Sequence, residues 1–274
     1  MAPDDFDTIA RLLRRRSGLV LTPDRAGLAE RSLKPVMQRY GFPDIKAMVA
    51  DIRLGHDALA EAVAEAMTVN ETSFFREPAQ FARLQNEILP RLARARMGSR
   101  RLRLWSAACS NGQEVWSLAM LLDEMGFGDW QIDLVGSDFS SLAVARAQAG
   151  CYSCFEMDRG VDAGRLARHF DIQNGAWTVR ERLRAVARFS RFNLLESCGW
   201  IEDVDVLFCR NVLMYFDAPT RTRVLERLAE TLSADGMLLL GESEAVEMMP
   251  AGLKPLPGAP GIWQLSEAAA RKAC

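Results

Sequence analysis

Two stretches of this sequence place ligand-binding side chains where buried strands end. The loop Ser106-Ala-Ala-Cys-Ser-Asn-Gly112 follows an apolar run at residues 102–105 and precedes residues with helical spacing. A strand, a small-residue loop and a helix in this order begin a doubly wound α/β fold, which binds its ligand at the carboxyl ends of the strands. Asp138 ends the next apolar run, about 20 to 30 residues beyond the loop, where such folds bind a ribose diol. The pair predicts a site for a nucleoside-containing cofactor, although an ordinary strand–helix connection gives the same pattern.

A further polar group follows a third apolar run. Residues 204–209, Val-Asp-Val-Leu-Phe-Cys, have the apolar content of a buried strand, and Arg210-Asn211 come directly after them. Polar side chains therefore lie again at the carboxyl end of a strand, the edge at which such folds bind ligands. Gly112 is the only glycine of the first loop, so the usual glycine-rich dinucleotide fingerprint is absent.

Residues 70–77, Asn-Glu-Thr-Ser-Phe-Phe-Arg-Glu, place two adjacent aromatics among polar residues just before Pro78. Proline suits the first turn of a helix, so a helix is expected to begin there. In one interpretation, Arg76 binds a carboxylate through two parallel hydrogen bonds. In the other, Thr72 or Ser73 caps the helix and the two phenylalanines form a hydrophobic plug. The residues alone favour neither.

Composition and charge set the class of protein. The 274 residues include 34 basic and 36 acidic ones, and the net charge of −2 gives no general attraction to nucleic acid. No apolar run approaches the roughly 18 residues of a membrane span, and the acidic N-terminus is unlike a signal peptide. A cytoplasmic protein is expected. The six cysteines fit a reducing compartment, and with only two histidines the lone pair Cys151 and Cys154 predicts no metal site.

Two domains are expected from the hydrophobic patterns. Residues 1–69 show four helical periods and no strand pattern, whereas residues 70–274 alternate strands and helices. An insertion at about 151–190 is rich in arginine and aromatics. Within it, residues 177–180 are expected to pair with 183–186 in a small antiparallel sheet, with Asn174-Gly175 just before.

Five motifs then occur in a fixed order along nearly the whole chain: 70–77 (NETSFFRE), 107–114 (AACSNGQE), 136–138 (GSD), 192–195 (FNLL) and 208–216 (FCRNVLMYF). Together they resemble the CheR family, the S-adenosylmethionine-dependent methyltransferases that esterify glutamates on bacterial chemoreceptors. The resemblance implies a doubly wound, Rossmann-like class I methyltransferase sheet, with an all-α N-terminal domain and a small antiparallel β insertion. It also implies a monomer that works in the cytoplasm at membrane receptor arrays and acts on the cytoplasmic helices of methyl-accepting chemoreceptors.

The resemblance also assigns residues, one by one. The loop 70–77 would close over S-adenosylmethionine, Asp138 would bind its ribose, and S-adenosylhomocysteine would be the product. Arg76, Arg210 and Tyr215 are the expected catalytic residues, because they match positions close to the reacting groups. The positions that match cofactor contacts are Asn70, Thr72, Arg76, Glu114, Asp138, Asn193, Leu194, Arg210, Asn211 and Val212.

The implied chemistry needs orientation more than acid–base catalysis. A glutamate side chain, whose unperturbed pKa is about 4.3, is already ionised at neutral pH, so no base has to activate it. Arg76, Arg210 and Tyr215 are therefore expected to orient the acceptor carboxylate. Whether Arg76 serves the cofactor's carboxylate or the acceptor's stays open.

Two other expectations concern the substrate. The span from residues 169–170 to 179–180 is about four residues shorter than in family members that grip a receptor's C-terminal pentapeptide, so independence of that peptide is expected. The alternatives are a methyltransferase for nucleic acid or a small molecule, and a non-catalytic cofactor-binding regulator. The net charge of −2 disfavours nucleic acid, and the presence of Arg76, Asp138 and Tyr215 disfavours the regulator.

Overall fold

The computed structural model describes residues 1–173, 175–242, 244 and 249–270. The chain forms two compact units. The helical unit contains Met1–Val69 together with Leu213–Arg221, and the α/β unit contains Asn70–Val212 and Thr222–Cys274. The sequence did not indicate that residues 213–221 group with the first seventy. Among the described helices, none is both long and apolar enough to cross a membrane.

Four amphipathic helices make up most of the helical unit: α1 (Pro3–Arg16), α2 (Ala26–Tyr40), α3 (Ile45–Arg53) and α4 (Asp57–Ala66). Helix α1 has acidic residues in its first turn and arginines in its last, which complements the helix dipole. The segment 213–221 is held by this unit's own backbone, because the Val20 amide donates a 2.8 Å hydrogen bond to the Tyr215 carbonyl. The Arg25 guanidinium lies 5.5 Å from the centre of the Tyr215 ring.

The α/β unit contains a seven-stranded sheet in the order β6-β2-β1-β7-β8-β10-β9. These strands are β1 (Arg101–Ala107), β2 (Gln131–Asp138), β6 (Ala187–Arg191), β7 (Val204–Cys209), β8 (Leu232–Leu240), β9 (Leu253–Pro255) and β10 (Ile262–Leu265). The first five strands of this order are parallel, and β10 and β9 are antiparallel additions at one edge. With the helical unit and a separate small antiparallel sheet, this confirms the predicted fold class.

The strand order reverses between β1 and β7. From β1 the chain first adds β2 and β6 on one side and then returns to add β7 and β8 on the other. Strand β7 is buried along its whole length, which accounts for a sequence that is apolar except for Asp205. In open sheets of this kind the crevice for a ligand lies at the carboxyl ends of the strands beside the reversal. The loops after β1, β2 and β7 therefore line the expected site.

The remaining helical elements are α5 (Pro78–Arg83), a π-helical turn (Leu84–Ile88), α6 (Leu89–Ala95), α7 (Gln113–Glu124), α8 (Ser141–Ala149), α9 (Cys154–Met157), α10 (Ala163–His169), α11 (Glu181–Arg184), α12 (Ala218–Glu230) and α13 (Glu267–Ala270). They belong to the α/β unit, except that the first residues of α12, up to Arg221, group with the helical unit. The predicted cap at Thr72 or Ser73 is wrong. The residue before α5 is Glu77, which is in a left-handed conformation with φ of 60° and makes no side-chain cap. The π turn precedes Pro90, which cannot donate the regular backbone hydrogen bond.

The inserted segment folds into a three-stranded antiparallel sheet in the order β3-β5-β4, made of β3 (Cys151–Tyr152), β4 (Phe170–Gln173) and β5 (Ala176–Val179). The predicted pairing of residues 177–180 with 183–186 is wrong. Strand β5 pairs with β4 and β3, and α11 occupies part of 183–186. The reason lies in the turn, since Asn-Gly favours a two-residue hairpin that joins the strands on either side of it. Gly175 has φ of 77°, and Asn174 lies outside the described residues.

Candidate active site

Backbone amides from the loops after β1 and after β2 bind the carboxylate that ends β2. The Ser110 amide donates to Asp138 Oδ2 at 2.8 Å, and the Ser140 amide donates to Oδ1 at 2.9 Å. The loop after β1 turns sharply because Ala108, Ser110 and Gly112 have positive φ angles of 64°, 51° and 88°. A Cβ at Gly112 would lie 2.7 Å from Ala147 Cβ, so only glycine fits there. Asp138 is thus held at the strand end, where the sequence analysis expects a ribose.

A buried guanidinium between two carboxylates lies at the carboxyl end of β7. Arg210 Nε donates to Glu114 Oε2 at 2.7 Å, and its Nη1 donates to Glu77 Oε2 at 3.2 Å. The Arg210 side chain is only 2% exposed. The Ser106 hydroxyl donates to the other oxygen of Glu114 at 2.7 Å. This arrangement fixes the Glu114 carboxylate and uses donors of Arg210, so Arg210 is better placed to position Glu114 than to contact an acceptor.

Glu77 links the motif at 70–77 to two strand ends. Besides the bond from Arg210, its carboxylate accepts hydrogen bonds from Asn211 Nδ2 at 3.2 Å and from the Glu242 amide at 3.0 Å. Asn211 has φ of 59°, and its amide donates to Glu244 Oε2 at 2.8 Å. The sequence analysis missed Glu77 and Glu244 as site residues. Glu77 stands within a quoted motif, which was an available indication, whereas nothing marked Glu244.

Two buried phenylalanines anchor the motif within the α/β unit. Phe74 is 1% exposed and Phe75 is 8% exposed, so the predicted hydrophobic plug is confirmed. The Phe75 amide donates to Ser117 Oγ at 2.9 Å, and the Asn111 side chain donates to the Asn70 carbonyl at 3.1 Å. The motif is therefore bonded to helix α7 and to the loop that precedes it.

Arg76 differs from Arg210 in its surroundings. Its side chain is half-buried, and Nη1 donates to the Glu71 carbonyl at 3.1 Å. A guanidinium has five N–H donors, so the bond to Glu71 leaves donors with which Arg76 could bind a carboxylate, as far as the described residues show. Arg76 lies between Phe75 and Glu77, two residues that the contacts above fix in place.

Three of the other predicted residues, Asn193, Leu194 and Val212, follow the ends of β6 and β7, whereas Thr72 lies in the motif at 70–77. Asn193 and Leu194 follow β6, and Asn193 Oδ1 accepts a hydrogen bond from the Leu195 amide at 3.0 Å. Leu194 is buried, whereas Thr72, Asn193 and Val212 are half-buried. Tyr215 belongs to the helical unit and is described there.

Two polar atoms of the loop region are buried without a hydrogen-bond partner within the described part of the chain: Ser110 Oγ and Gln113 Oε1. An unsatisfied buried polar atom costs about 1–3 kcal/mol, so such atoms are rare unless a ligand or water completes them. Together with the Asp138 and Glu114 carboxylates, they provide acceptors suited to the hydroxyls and the cationic groups of a nucleoside cofactor. Over the same described residues, no group of three His, Cys, Asp or Glu side chains could hold a metal ion.

Comparison with known proteins gives the family. The family model described as CheR methyltransferase, SAM binding domain, matches residues 70–261. The model described as CheR methyltransferase, all-alpha domain, matches residues 4–68. The chain belongs to the CheR methyltransferase family. It is a protein-glutamate O-methyltransferase that takes its methyl group from S-adenosylmethionine. The buried hydrogen-bond acceptors described above fit this cofactor.

Several curated proteins are similar to this chain over nearly its whole length. Chemotaxis protein methyltransferase 1 of Pseudomonas aeruginosa is 37% identical over 264 residues, which cover 94% of this chain and 96% of that protein. Chemotaxis protein methyltransferase Cher2 of Pseudomonas putida is 35% identical, with the same coverages. A probable biofilm formation methyltransferase, WspC of Pseudomonas aeruginosa, is 33% identical over 91% of this chain and 59% of its own length.

Proposed function

We propose that this protein methylates glutamate side chains in the cytoplasmic helices of bacterial chemoreceptors, and so serves chemotactic adaptation. Two relatives that cover 94% of the chain are named chemotaxis protein methyltransferases, which supports a methylation reaction that serves chemotaxis. The observation that carries the proposal is Arg76, a half-buried guanidinium that bonds the Glu71 carbonyl. The next residue, Glu77, bonds the buried Arg210, so the motif that carries Arg76 is anchored at the end of β7 and offers an acceptor carboxylate a cation. The protein would act as a monomer in the cytoplasm at receptor arrays, without a nucleic-acid partner.

The residues at the strand ends would divide the binding of S-adenosylmethionine among them. Asp138 would accept hydrogen bonds from the ribose hydroxyls, and Asn193 and Leu194 would flank the adenine. Glu114 would face the amino or ribose end and complement the positive charge. The remaining cofactor contacts would come from Asn70, Thr72, Arg76, Asn211 and Val212.

Catalysis would rest on orientation. S-adenosylmethionine supplies a methyl group already activated on a sulfonium sulfur. Arg76 and Tyr215 would align the acceptor carboxylate with that methyl group, and accurate placement of two reactants is worth up to about 7–11 kcal/mol of the barrier. Arg210 would contribute by holding Glu114, since its buried guanidinium already bonds Glu114 and Glu77.

The first test is transfer of labelled methyl from S-adenosylmethionine to membranes that contain the organism's own chemoreceptors, followed by mild alkali. Label is expected on the receptor, and alkali should release it as methanol, because a carboxyl methyl ester is hydrolysed under these conditions. The Arg76→Ala variant is the control, because transfer that depends on the proposed site should be lost in it.

Each other outcome contradicts a different part of the proposal. Label that resists alkali would indicate methylation of nitrogen and would exclude a glutamate ester. Label found in soluble proteins or nucleic acid and absent from receptors would assign another substrate. Cofactor binding without transfer to any cognate receptor would favour a regulatory role.

We also propose that the enzyme acts without a receptor C-terminal pentapeptide. Strand β4 ends at Gln173 and β5 begins at Ala176, so only two residues connect them. A turn this short offers little chain with which to grip a peptide. Calorimetric titration with the pentapeptide that other family members bind should show no saturation up to millimolar concentration. Binding at micromolar concentration would contradict the proposal, and a pentapeptide-dependent family member is the positive control.

A further inference from the structure

Arg165, in the inserted segment, covers a phenylalanine of the motif at 70–77. Its guanidinium carbon lies 3.9 Å from the centre of the Phe75 ring, a distance typical of a cation–π contact. Phe75 is buried and also contacts Phe81, with 5.2 Å between ring centres. The contact therefore joins α10, which belongs to the insertion, to the segment that carries Arg76.

Arg165 is itself held in a fixed orientation. Its Nε and Nη2 donate to the two oxygens of Glu124 at 2.9 and 3.0 Å, the parallel geometry that suits arginine and a carboxylate. His169 Nε2 lies 3.0 Å from Glu124 Oε1, the oxygen that accepts the hydrogen bond from Arg165 Nε. Although burial acts in the opposite direction, the hydrogen bonds from Arg165 and His169 lower the pKa of Glu124. Glu124 is thus a charged partner that orients the guanidinium over the ring.

The backbone of the insertion reaches the same motif at a second point. Gly160 has φ of 123°, and a Cβ there would collide with the carbonyl oxygen of Phe74. The Phe74 ring packs edge-on against Tyr152 and Phe170, at 5.0 and 5.7 Å between ring centres. Each phenylalanine of the motif is therefore in contact with residues of the insertion.

The conformation of the motif shows why this matters for Arg76. Phe75 and Glu77 both have positive φ angles, 48° and 60°, which residues other than glycine adopt only where their surroundings impose them. Glu77 is held by Arg210 and Asn211. The Ser117 hydroxyl fixes the backbone of Phe75, and Arg165 covers its ring. Each neighbour of Arg76 thus has its own support.

We propose that Arg165 is a positioning residue of the methyltransferase, which acts through Phe75 to keep the segment 70–77 in its cofactor-binding conformation. The inference rests on the proposed role of this segment in binding S-adenosylmethionine. It gives the inserted subdomain a function within the cofactor site, in addition to any contact with a receptor.

The test measures binding of S-adenosylhomocysteine by calorimetry, which needs no receptor and no turnover. Arg165→Gln is expected to raise the Kd about tenfold, the equivalent of one well-packed cation–π contact. Arg165→Lys should recover most of the affinity, because an ammonium can still lie over the ring. Arg168→Gln is the matched control: this arginine lies on the same helix, is 56% exposed and pairs with Asp123, and its variant should bind like the wild type.

A double-variant cycle separates positioning from a purely structural effect. Phe75→Leu should weaken binding by itself, and Arg165→Gln should add little in that background, because its partner ring is gone. Thermal unfolding of every variant identifies loss of stability.

Additive effects on Kd, or an unchanged Kd in Arg165→Gln despite a lower Tm, would overturn the proposal. Should Arg165→Gln fail to fold, Arg165→Lys and Phe75→Leu give the same comparison. Normal cofactor binding without receptor methylation would refute only the proposed substrate.

Discussion

Replacement of Glu114 by methionine is expected to abolish measurable binding of S-adenosylhomocysteine and to destabilise the protein by about 3–5 kcal/mol. The carboxylate is buried and neutralises the Arg210 guanidinium, whose Nε lies 2.7 Å from it. Without Glu114, the Arg210 side chain, which is only 2% exposed, would keep its positive charge and would have Glu77 as its remaining carboxylate partner. The Ser106 hydroxyl would also lose the acceptor to which it donates.

The paired variant distinguishes the electrostatic cause from a general packing defect. Arg210→Met should destabilise the protein as well, but the double variant should cost clearly less than the two single changes together, because no unpaired charge is left buried. Cofactor binding should be lost in all three variants. Glu87→Met is the control, since Glu87 is exposed and its contact with Arg83 is a 3.7 Å surface pair, for which about 0.5 kcal/mol is typical.

The measurements are chemical unfolding for stability and calorimetry for S-adenosylhomocysteine. If the destabilisations of the single variants simply add in the double variant, the two side chains are not coupled and the buried ion pair does not account for them. If Glu114→Met binds the product with wild-type affinity, Glu114 has no part in the cofactor site.

The part of this site that the sequence predicted is the part determined by strand ends. Asp138 and Arg210 could be placed because a buried parallel strand has a recognisable apolar sequence, as in Val204–Cys209, and because ligands bind where such strands end. The partners across the site could not be placed. Glu77 and Arg210 are separated by 133 residues in sequence, and hydrophobic periodicity carries no information about which distant side chains meet.

The errors arose where local and tertiary preferences compete. The strand Phe170–Gln173 is only four residues long and mostly exposed, so it lacks the apolar alternation that identifies longer strands. The predicted partner of residues 177–180 was therefore 183–186 and not this strand, although the Asn-Gly pair favours a hairpin. The apolar spacing of residues 81–92 likewise indicates a regular helix, whereas the structure has a π turn at Leu84–Ile88. The turn lies just before Pro90, which cannot donate a backbone hydrogen bond.

Asp138 supports the second large prediction. Asp138→Asn is expected to raise the Kd for S-adenosylhomocysteine by about 10- to 150-fold, since a hydrogen bond to a charged group contributes about 1.5–3 kcal/mol. The wild-type carboxylate accepts hydrogen bonds from the backbone amides of Ser110 and Ser140, at 2.8 and 2.9 Å. Asparagine has one acceptor oxygen in place of two, so it cannot satisfy both amides and a ribose diol.

A modified ligand separates loss of a ribose contact from collapse of the loop. The wild type should bind the 2′-deoxyribose analogue of S-adenosylhomocysteine more weakly than the natural product, because Asp138 then loses a donor. In Asp138→Asn the two ligands should bind almost equally, since the interaction that distinguishes them is already gone. Discrimination that persists in the variant would mean that another residue binds the ribose and that Asp138 serves only to hold the loop through the Ser110 and Ser140 amides. Equal binding of both ligands by the wild type would place the ribose away from the end of β2 altogether.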